Sequence, residues 1–255
     1  GWFHGAGFTA VGEAGKSTVD CDWNQTIKDA NGNEIAGKDV AGALVKLANG
    51  KYQKHWTSQE QQMLMTQIGD ETTSPIIATI NGTWNYKRIS KTWGDNCKAT
   101  VLPTYHVDLA NRDYQMQSVK GFKIGVINQK RKNVAHAARF AEFITNYDNQ
   151  ILRFNQLSEA PTNIQAAKDI DVNSNPAVKA LNDQWEQGSF IEKVNESFWN
   201  PSNSLSTLLC QGGDKGKYNY LVDASKAGTD EIEINYDAIQ AALDNAVGKL
   251  AGTLS

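Results

Sequence analysis

Apolar side chains recur every three or four residues in several stretches of the chain, a spacing that places them on one face of a helix. Cap and stop signals bound these stretches. Asn49-Gly50 follows the first of them, Asn133 precedes another, and Asn175-Pro176 opens one that Gly188 ends. Helices are therefore predicted at residues 38–48, just after Thr57-Ser58, and at residues 84–93, 134–146, 148–157, 176–187, 202–210 and 236–250.

Short runs rich in β-branched residues lie between the helical stretches and predict strands. Asn31-Gly32 separates two such runs and predicts a β-hairpin over residues 26–35. The run at residues 76–80 has the composition of a strand covered on both faces, and Asn81-Gly82 ends it, because these residue types tolerate the backbone angles of a sharp exit. Two further strands are predicted, at residues 98–102 before Pro103 and at residues 120–128. Strands alternating with helices indicate an α/β architecture.

Charge and length narrow the classes of function. The 255 residues carry 25 basic and 28 acidic side chains, a net charge of -3. This balance offers no cationic surface for a phosphate backbone, so no nucleic-acid partner is expected. No apolar run approaches the roughly 20 residues of a membrane span, and any export signal is expected upstream of residue 1 or already removed. The length allows one large domain or two small ones.

The residue types that build metal and nucleophile sites are few and poorly spaced. Cys21, Cys97 and Cys210 lack the paired spacing of zinc or redox sites. At least one of them is expected to be a free buried thiol, and a single disulfide of unspecified pairing stays open. The histidines never pair at metal-ligand spacing; they are His4, His55, His106 and His136. No cofactor, metal site or catalytic residue is predicted.

Two glycine-containing stretches resemble ligand loops only in part. Residues 10–17 fit a loose phosphate-binding loop, but the residues after them look extended rather than helical, which favours a surface turn. Residues 29–34 place glycine fourth, whereas a calcium loop of the EF-hand type needs it sixth. The hairpin interpretation is therefore favoured for the second stretch.

Carboxylates keep a hydrolase open as an alternative. Glycoside hydrolysis requires two of them across a cleft, and distance along the sequence does not reveal which side chains meet in space. The candidates are Asp20, Asp22, Asp70, Glu71, Asp169 and Asp171. Such residues are more often solvated surface charges, so catalysis is not expected.

Aromatic residues stand at the boundaries of predicted elements, beside polar residues. Trp2-Phe3 opens the chain, Trp84 and Tyr86 follow the run at residues 76–80, and Phe198-Trp199 lies further on. An indole offers a flat apolar face that stacks on the C–H face of a sugar ring, and ligands of α/β proteins bind beyond the carboxyl ends of strands. These rings are candidates for lining a carbohydrate cleft.

Five motifs follow one another in an order and approximate spacing typical of one family. They are Ile80-Asn81-Gly82-Thr83-Trp84-Asn85-Tyr86, Val101-Leu102-Pro103-Thr104, Gly125-Val126-Ile127-Asn128, the helix of residues 133–147 and Ser197-Phe198-Trp199. Together they resemble the maltose-binding protein group of extracellular solute-binding proteins, most strongly over residues 76–160. The resemblance implies a periplasmic-binding-protein-like α/β fold of type II, in which two lobes joined by crossing segments close on a sugar.

By this resemblance the chain holds only part of such a protein. Residues 1–120 and 163–255 correspond to the second lobe, and residues 124–161 to the returning segment of the first lobe, most of which is absent. A segment of this kind exposes apolar surface. We expect it to dock elsewhere, to pair with another chain or with the missing first-lobe portion, or to be partly mobile.

The resemblance also implies site residues and a function. Trp84 and Trp199 fall on two positions at which the second lobe of the family stacks on sugar, and Trp2 falls where the family has a further ring. Weaker polar candidates are Tyr86, Asn195 and Glu196. The implied function is an extracellular receptor that binds a maltodextrin-like oligosaccharide for the membrane subunits of an ABC importer, without catalysis.

The implied location is the periplasm or, as a lipoprotein, the surface of a Gram-positive cell. Rival functions are the hydrolase, a receptor of the same fold for a peptide or other solute, and an interaction module whose aromatic residues bind protein.

Overall fold

The structure is a computed structural model that describes residues 1–12, 19–51, 78–121, 125–130, 132–192 and 221–251. The helices predicted after Thr57-Ser58 and at residues 202–210 lie outside these residues. In chain order the described elements are α1 (Trp2–Gly5), β1 (Thr26–Lys28), β2 (Glu34–Ala36), α2 (Gly37–Asn49), α3 (Tyr86–Trp93), β3 (Thr104–Val107), β4 (Arg112–Gln115), β5 (Ser118–Val119), α4 (Val134–Thr145), α5 (Tyr147–Leu157), α6 (Ile164–Asp169), α7 (Pro176–Gln187), β6 (Ser189–Phe190) and α8 (Tyr236–Ala251).

The chain divides into two compact units. Unit 1 comprises Gly1–Thr66, Leu102–Lys120 and Gln187–Ser255, and unit 2 comprises Gln67–Val101 and Gly121–Glu186. The assignment of residues 1–120 and 163–255 to a second lobe, and of residues 124–161 to a first, refers to a longer two-lobed protein. That assignment stays a prediction.

Unit 1 is built around α2, which packs against α8, α1 and β3. The side chains most completely removed from solvent here are apolar: Ile35, Val40, Val45, Val107, Leu221, Ile239 and Leu243. Gly42 allows α2 and α8 to approach closely, since a Cβ at this position would lie 2.5 Å from the ring of Tyr236. Both helices were predicted by apolar periodicity, and both are confirmed within one or two residues at their ends.

Two hairpins complete the core of unit 1. β1 and β2 pair antiparallel with Ile27 opposite Ile35, and Gly32 turns the chain at a φ of 81°, so the hairpin predicted from Asn31-Gly32 is confirmed. β3 and β4 form a second antiparallel pair, in which Tyr105 faces Tyr114. The inward side chains of β3 alternate with exposed ones, the period of a half-buried strand.

Asp29 joins the two hairpins. One of its carboxylate oxygens accepts hydrogen bonds from the backbone N–H groups of Asn31 and Asn33, both at 2.9 Å. The other accepts from the Arg112 guanidinium and the Tyr114 hydroxyl, both at 3.0 Å. Burial by itself raises the pKa of this carboxyl, but the donors outweigh burial and the pKa lies below its usual value.

The described residues of unit 2 form helices and turns. α5 packs against α4 and α6, and the buried Gln150 side chain on α5 accepts hydrogen bonds from the backbone N–H groups of Thr162 and Asn163. The helix predicted from Asn175-Pro176 is confirmed from Pro176 to Gln187. The Asn175 side chain caps it by accepting from the amides of Ala177 and Val178.

Three strand predictions differ from the structure. The prediction of a strand at residues 98–102 is wrong. Pairing starts at Thr104, after Pro103, because the segment that follows the proline has β4 as its partner. Residues 78–80 are exposed and unpaired rather than part of a covered strand, and residues 76–77 lie outside the description. In the segment 120–128, the described residues form no strand; pairing occurs just before it, between β5 and β6.

Candidate ligand-binding site

Trp84 presents its indole to solvent from a tight turn. The turn is a single 3-10 helix, Thr83–Asn85, that leads directly into α3. The Asn81 side-chain oxygen holds the turn by accepting hydrogen bonds from the backbone N–H of Gly82 at 2.9 Å and from Nδ2 of Asn85 at 2.8 Å. Although folding usually buries much of a tryptophan side chain, Trp84 remains 75% exposed.

Gly82 determines where this indole lies. A Cβ built on Gly82 would stand 2.3 to 2.4 Å from three carbons of the six-membered ring, so the ring lies flat against the glycine backbone. The backbone angles of Gly82, φ -84° and ψ 153°, are open to any residue. The prediction that Gly82 serves a sharp exit from a strand is therefore wrong. Gly82 matters because it has no side chain, which leaves room for the indole. One face of the indole is supported while the other stays open.

Tyr86 is the first residue of α3 and is less available than Trp84. Its side chain is half-buried, and burial together with the nearby Cys97 raises the pKa of its hydroxyl. Trp84 and Tyr86 both lie in unit 2, one in the turn and the other at the start of α3. Of this predicted pair, only the indole is largely exposed.

Trp2 lies in unit 1, on α1. Its ring is half-buried against the core, with its centroid 4.4 Å from that of the Tyr105 ring at an interplanar angle of 37°. The Tyr105 hydroxyl also donates to the Trp2 carbonyl oxygen at 2.5 Å. Because Trp2 belongs to unit 1 and Trp84 to unit 2, the three-ring sugar platform stays a prediction. Trp199, Asn195 and Glu196 lie outside the described residues.

Unit 1 also holds a cleft that the sequence did not reveal. Its volume is about 460 Å³, and its polar lining includes His4, Thr9, Asp20, Gln117 and Glu192. Glu192 was unremarkable in sequence, and His4 was noted only for lacking a metal-ligand partner. No local signal joins two residues that stand so far apart along the chain.

The Glu192 carboxylate forms hydrogen bonds with three residues near the start of the chain. It accepts hydrogen bonds from His4 Nε2 at 2.7 Å and from the backbone N–H groups of Ala10 at 2.9 Å and Val11 at 2.5 Å. The His4 ring also stacks on Phe190, with centroids 3.4 Å apart and planes 6° apart. The amides that open the loose phosphate-loop motif thus already bind an internal carboxylate; residues 13–17 of that motif lie outside the description.

The pair is arranged with a neutral imidazole and an ionised carboxylate. Burial lowers the pKa of His4, and the hydrogen bond to Glu192 offsets only part of that effect. Burial raises the pKa of Glu192, but the hydrogen bonds from His4 and the backbone outweigh it, so this pKa lies below its usual value. His4 therefore donates from Nε2, and its buried Nδ1 has no partner within the described part of the chain.

Of the carboxylates considered for hydrolysis, Asp20 lines the cleft, whereas three others accept local hydrogen bonds: Asp22, Asp169 and Asp171. Asp22 accepts a hydrogen bond from the backbone N–H of Thr9 at 2.8 Å, and Asp169 accepts from the Tyr147 hydroxyl at 2.9 Å. These two residues belong to different units, and Asp70 and Glu71 lie outside the description. Within the described ranges, no three His, Cys, Asp or Glu side chains are grouped as a metal site.

Cys21 is buried and carries a free thiol, and burial raises its pKa to about 11. This agrees with the expected free buried thiol. Cys97 is also a free thiol, half-buried in unit 2, and Cys210 lies outside the description.

Among the helices that the structure describes, none is both long and apolar enough to cross a bilayer.

Comparison with known proteins gives two findings. The sequence pattern of bacterial extracellular solute-binding proteins matches residues 2–180. A solved structure whose description reads "with acarbose" shares the fold, with a TM-score of 0.61 and 19% sequence identity. The match covers 86% of this chain and 52% of the solved chain. The chain thus spans about half the length of that solved chain. No curated protein matches the sequence.

Proposed function

The chain belongs to the bacterial extracellular solute-binding proteins, and on that premise we propose that it is the sugar-holding part of a receptor for an oligosaccharide. The receptor delivers its ligand to the membrane subunits of an ABC importer. It acts outside the cytoplasmic membrane, in the periplasm or as a lipoprotein on the cell surface. It binds without catalysing a reaction.

The predicted fold is confirmed, because the match to the solute-binding family and the likeness to the solved chain agree on a periplasmic-binding-protein-like α/β fold. A fold alone does not identify a ligand. The choice of a sugar therefore depends on the site and its chemistry.

The exposed indole of Trp84 carries the proposal. Covering its apolar ring with a ligand removes that surface from water, which is favourable. The C–H face of a pyranose is flat and weakly apolar, whereas its rim is ringed with hydroxyls. Trp84 supplies an open flat face, with the side-chain amides of Asn81 and Asn85 in the same turn.

The solved chain of the same fold supports a sugar as ligand, since it is described as being with the oligosaccharide acarbose. Trp2, Trp199, Tyr86, Asn195 and Glu196 are the further proposed contacts, with the indoles stacking and the others binding hydroxyls. Receptors of this kind use several such contacts because each is weak by itself.

Calorimetric titration of the complete protein tests this proposal. The panel comprises maltodextrins of increasing length, acarbose, an unrelated oligosaccharide and a peptide mixture. The proposal predicts saturable binding of at least one oligosaccharide, at one site, with no peptide bound. Retention of peptide or another solute through gentle purification, detected by native mass spectrometry, would contradict it.

A turnover measurement tests the absence of catalysis. The complete protein is incubated with the oligosaccharide that it binds and with chromogenic glycosides, and products are followed by chromatography. The proposal predicts that the bound sugar is recovered intact at stoichiometric amounts of protein. Steady release of shortened sugars would identify a hydrolase instead.

A further inference from the structure

The sequence contains three Asn-Gly dipeptides, and the structure describes all of them: Asn31-Gly32, Asn49-Gly50 and Asn81-Gly82. An asparagine followed by glycine is able to modify itself, because the glycine amide nitrogen can attack the side-chain carbonyl carbon of the asparagine. Glycine favours the attack, since it has no Cβ to hinder its nitrogen. The two groups must also lie close together, so the local backbone decides which of the three sites reacts.

The glycine amides of the first two sites are bonded to main-chain carbonyl groups. The N–H of Gly32 donates to the carbonyl oxygen of Asp29 at 2.9 Å, within the first hairpin. The N–H of Gly50 donates to the carbonyl oxygen of Lys46 at 2.8 Å, at the end of α2. The side chain of Asn49 is bonded too, since its Nδ2 donates to another carbonyl of α2 at 2.9 Å. Attack at either site requires such bonds to open first.

Asn81-Gly82 has a different arrangement. The N–H of Gly82 donates to the side-chain oxygen of Asn81 itself at 2.9 Å, so the nitrogen lies beside the carbonyl group that it would attack. Nδ2 of Asn85 donates to the same oxygen at 2.8 Å. That oxygen gains negative charge as the nitrogen adds to Cγ, and a donor already in place stabilises the charge.

We propose that Asn81-Gly82 is a site of spontaneous deamidation, which reacts ahead of the other two Asn-Gly sites and disrupts the turn that carries Trp84. The Gly82 nitrogen loses its proton to hydroxide and forms a bond to Cγ of Asn81. The bond from Cγ to Nδ2 breaks, and Nδ2 takes a proton from water and leaves as ammonia. Water then opens the five-membered succinimide at either carbonyl, which leaves aspartate or isoaspartate at position 81.

Both products change the turn that carries the proposed sugar contact. Isoaspartate carries the main chain through its Cβ and Cγ, so the backbone is longer by one atom just before Gly82, the residue on which the indole of Trp84 lies. Either product also adds a negative charge to the turn. The receptor therefore loses affinity for its ligand as it ages. This loss rests on the proposed function, whereas the reaction itself does not.

Ageing of the complete protein at mildly alkaline pH, followed by tryptic digestion and mass spectrometry, tests the reaction. The three dipeptides fall on separate tryptic peptides, and deamidation raises the mass of each by the difference between water and ammonia. Position 81 should react at least about tenfold faster than positions 31 and 49 in the folded protein, because those two sites react only after local opening. In concentrated urea the three rates should become similar. A rate at position 81 no higher than at the other two in the folded protein would overturn the proposal.

A matched pair of variants tests the consequence for binding, measured by calorimetry on samples taken during ageing. In the unsubstituted protein, the fraction able to bind the oligosaccharide should fall in step with conversion at position 81. Asn81→Gln resists cyclisation, since its longer side chain would have to form a six-membered ring, and it should keep its starting affinity. Asn31→Gln, in the hairpin of unit 1, should lose binding as fast as the unsubstituted protein.

The two measurements separate this proposal from the proposed function. Full binding after complete conversion at position 81 would overturn the claim that deamidation disrupts the turn. If the fresh protein binds no oligosaccharide, the proposed function fails, and the rates from mass spectrometry still decide whether Asn81-Gly82 is the reactive site.

Discussion

The exposed indole of Trp84 lies against the residue two positions before it, Gly82. The sequence placed an indole just after a predicted strand, beside polar residues, and together with the family resemblance this made it a candidate ligand contact. The sequence could not indicate that the ring lies on Gly82, because that contact depends on the path of the turn and on the rotamer of the side chain. The pattern of residue types is the same whether the indole points inward or outward.

A small side chain at position 82 tests the support of the indole. Gly82→Ala places a methyl group where the ring now lies, so the ring must move, while the backbone angles suit alanine. We expect the affinity for the bound oligosaccharide to fall roughly tenfold, about 1.4 kcal/mol, with little change in the melting temperature. Calorimetry and thermal unfolding measure the two quantities. An unchanged affinity would show that the position of the ring on Gly82 is irrelevant to binding.

The contact between His4 and Glu192 was missed for a different reason. The two residues are 188 positions apart, and only the folded unit brings the imidazole to the carboxylate. A histidine without a nearby ligand partner was noted as unremarkable. Pairs of this kind are determined by tertiary packing, so no characteristic spacing along the sequence reveals them.

Acid should weaken unit 1 through this pair. The folded state lowers the pKa of His4. The free energy of unfolding that this shift contributes is fully present above the unfolded pKa of about 6.5, and it is lost as the pH falls from that value through the folded pKa. Glu192, whose pKa is also lowered, adds a further loss at more acidic pH, towards its folded pKa. The contribution of His4 to the slope is at most about 1.4 kcal/mol per pH unit.

His4→Gln keeps a hydrogen-bond donor for Glu192 but does not titrate. Urea unfolding at pH 7, 6 and 5 should show a shallower fall in the free energy of unfolding for this variant than for the unsubstituted chain. Identical slopes in the variant and the unsubstituted chain would contradict a buried neutral His4.

At the scale of elements, the sequence predicted those whose limits are encoded locally. Asn31-Gly32 gave the first hairpin because glycine supplies the positive φ of its turn. The second hairpin turns at Asn111, which adopts a φ of 47° without glycine, so the signal was weak and β3–β4 was missed. The strand placed at residues 98–102 was chosen for its apolar residues. Strand positions also depend on a partner, which apolar composition does not specify.

Two predicted caps provide a matched test of helix termini. Asn175 caps α7 through its side chain, whereas Asn133, also predicted as a cap, precedes α4 without a side-chain hydrogen bond to the helix. Asn175→Ala should lower the free energy of unfolding by about 1 kcal/mol, and Asn133→Ala by less than about 0.5 kcal/mol. Urea unfolding of both variants measures the difference. Equal losses would show that the Asn175 hydrogen bonds contribute nothing specific.

At the scale of the whole molecule, the order of the motifs identified the fold, whereas no single motif did. The motif around Trp84, the Val101 to Thr104 motif and the helix of residues 133–147 fit many α/β proteins one at a time. Together they led to the solute-binding family, which the match to residues 2–180 confirms. The division into lobes could not be established in the same way, because it refers to a longer protein than the residues described here.

Calorimetric titration of Trp84 variants in the complete protein tests the central claim, that an exposed indole in this turn holds a sugar. Trp84→Ala should weaken binding of the oligosaccharide about tenfold or more, and Trp84→Phe should weaken it less, because a smaller ring still stacks. Leu109→Ala, an exposed apolar residue in unit 1, should bind as tightly as the unsubstituted protein. Unchanged affinity in Trp84→Ala, with the fold intact by circular dichroism, would contradict the account.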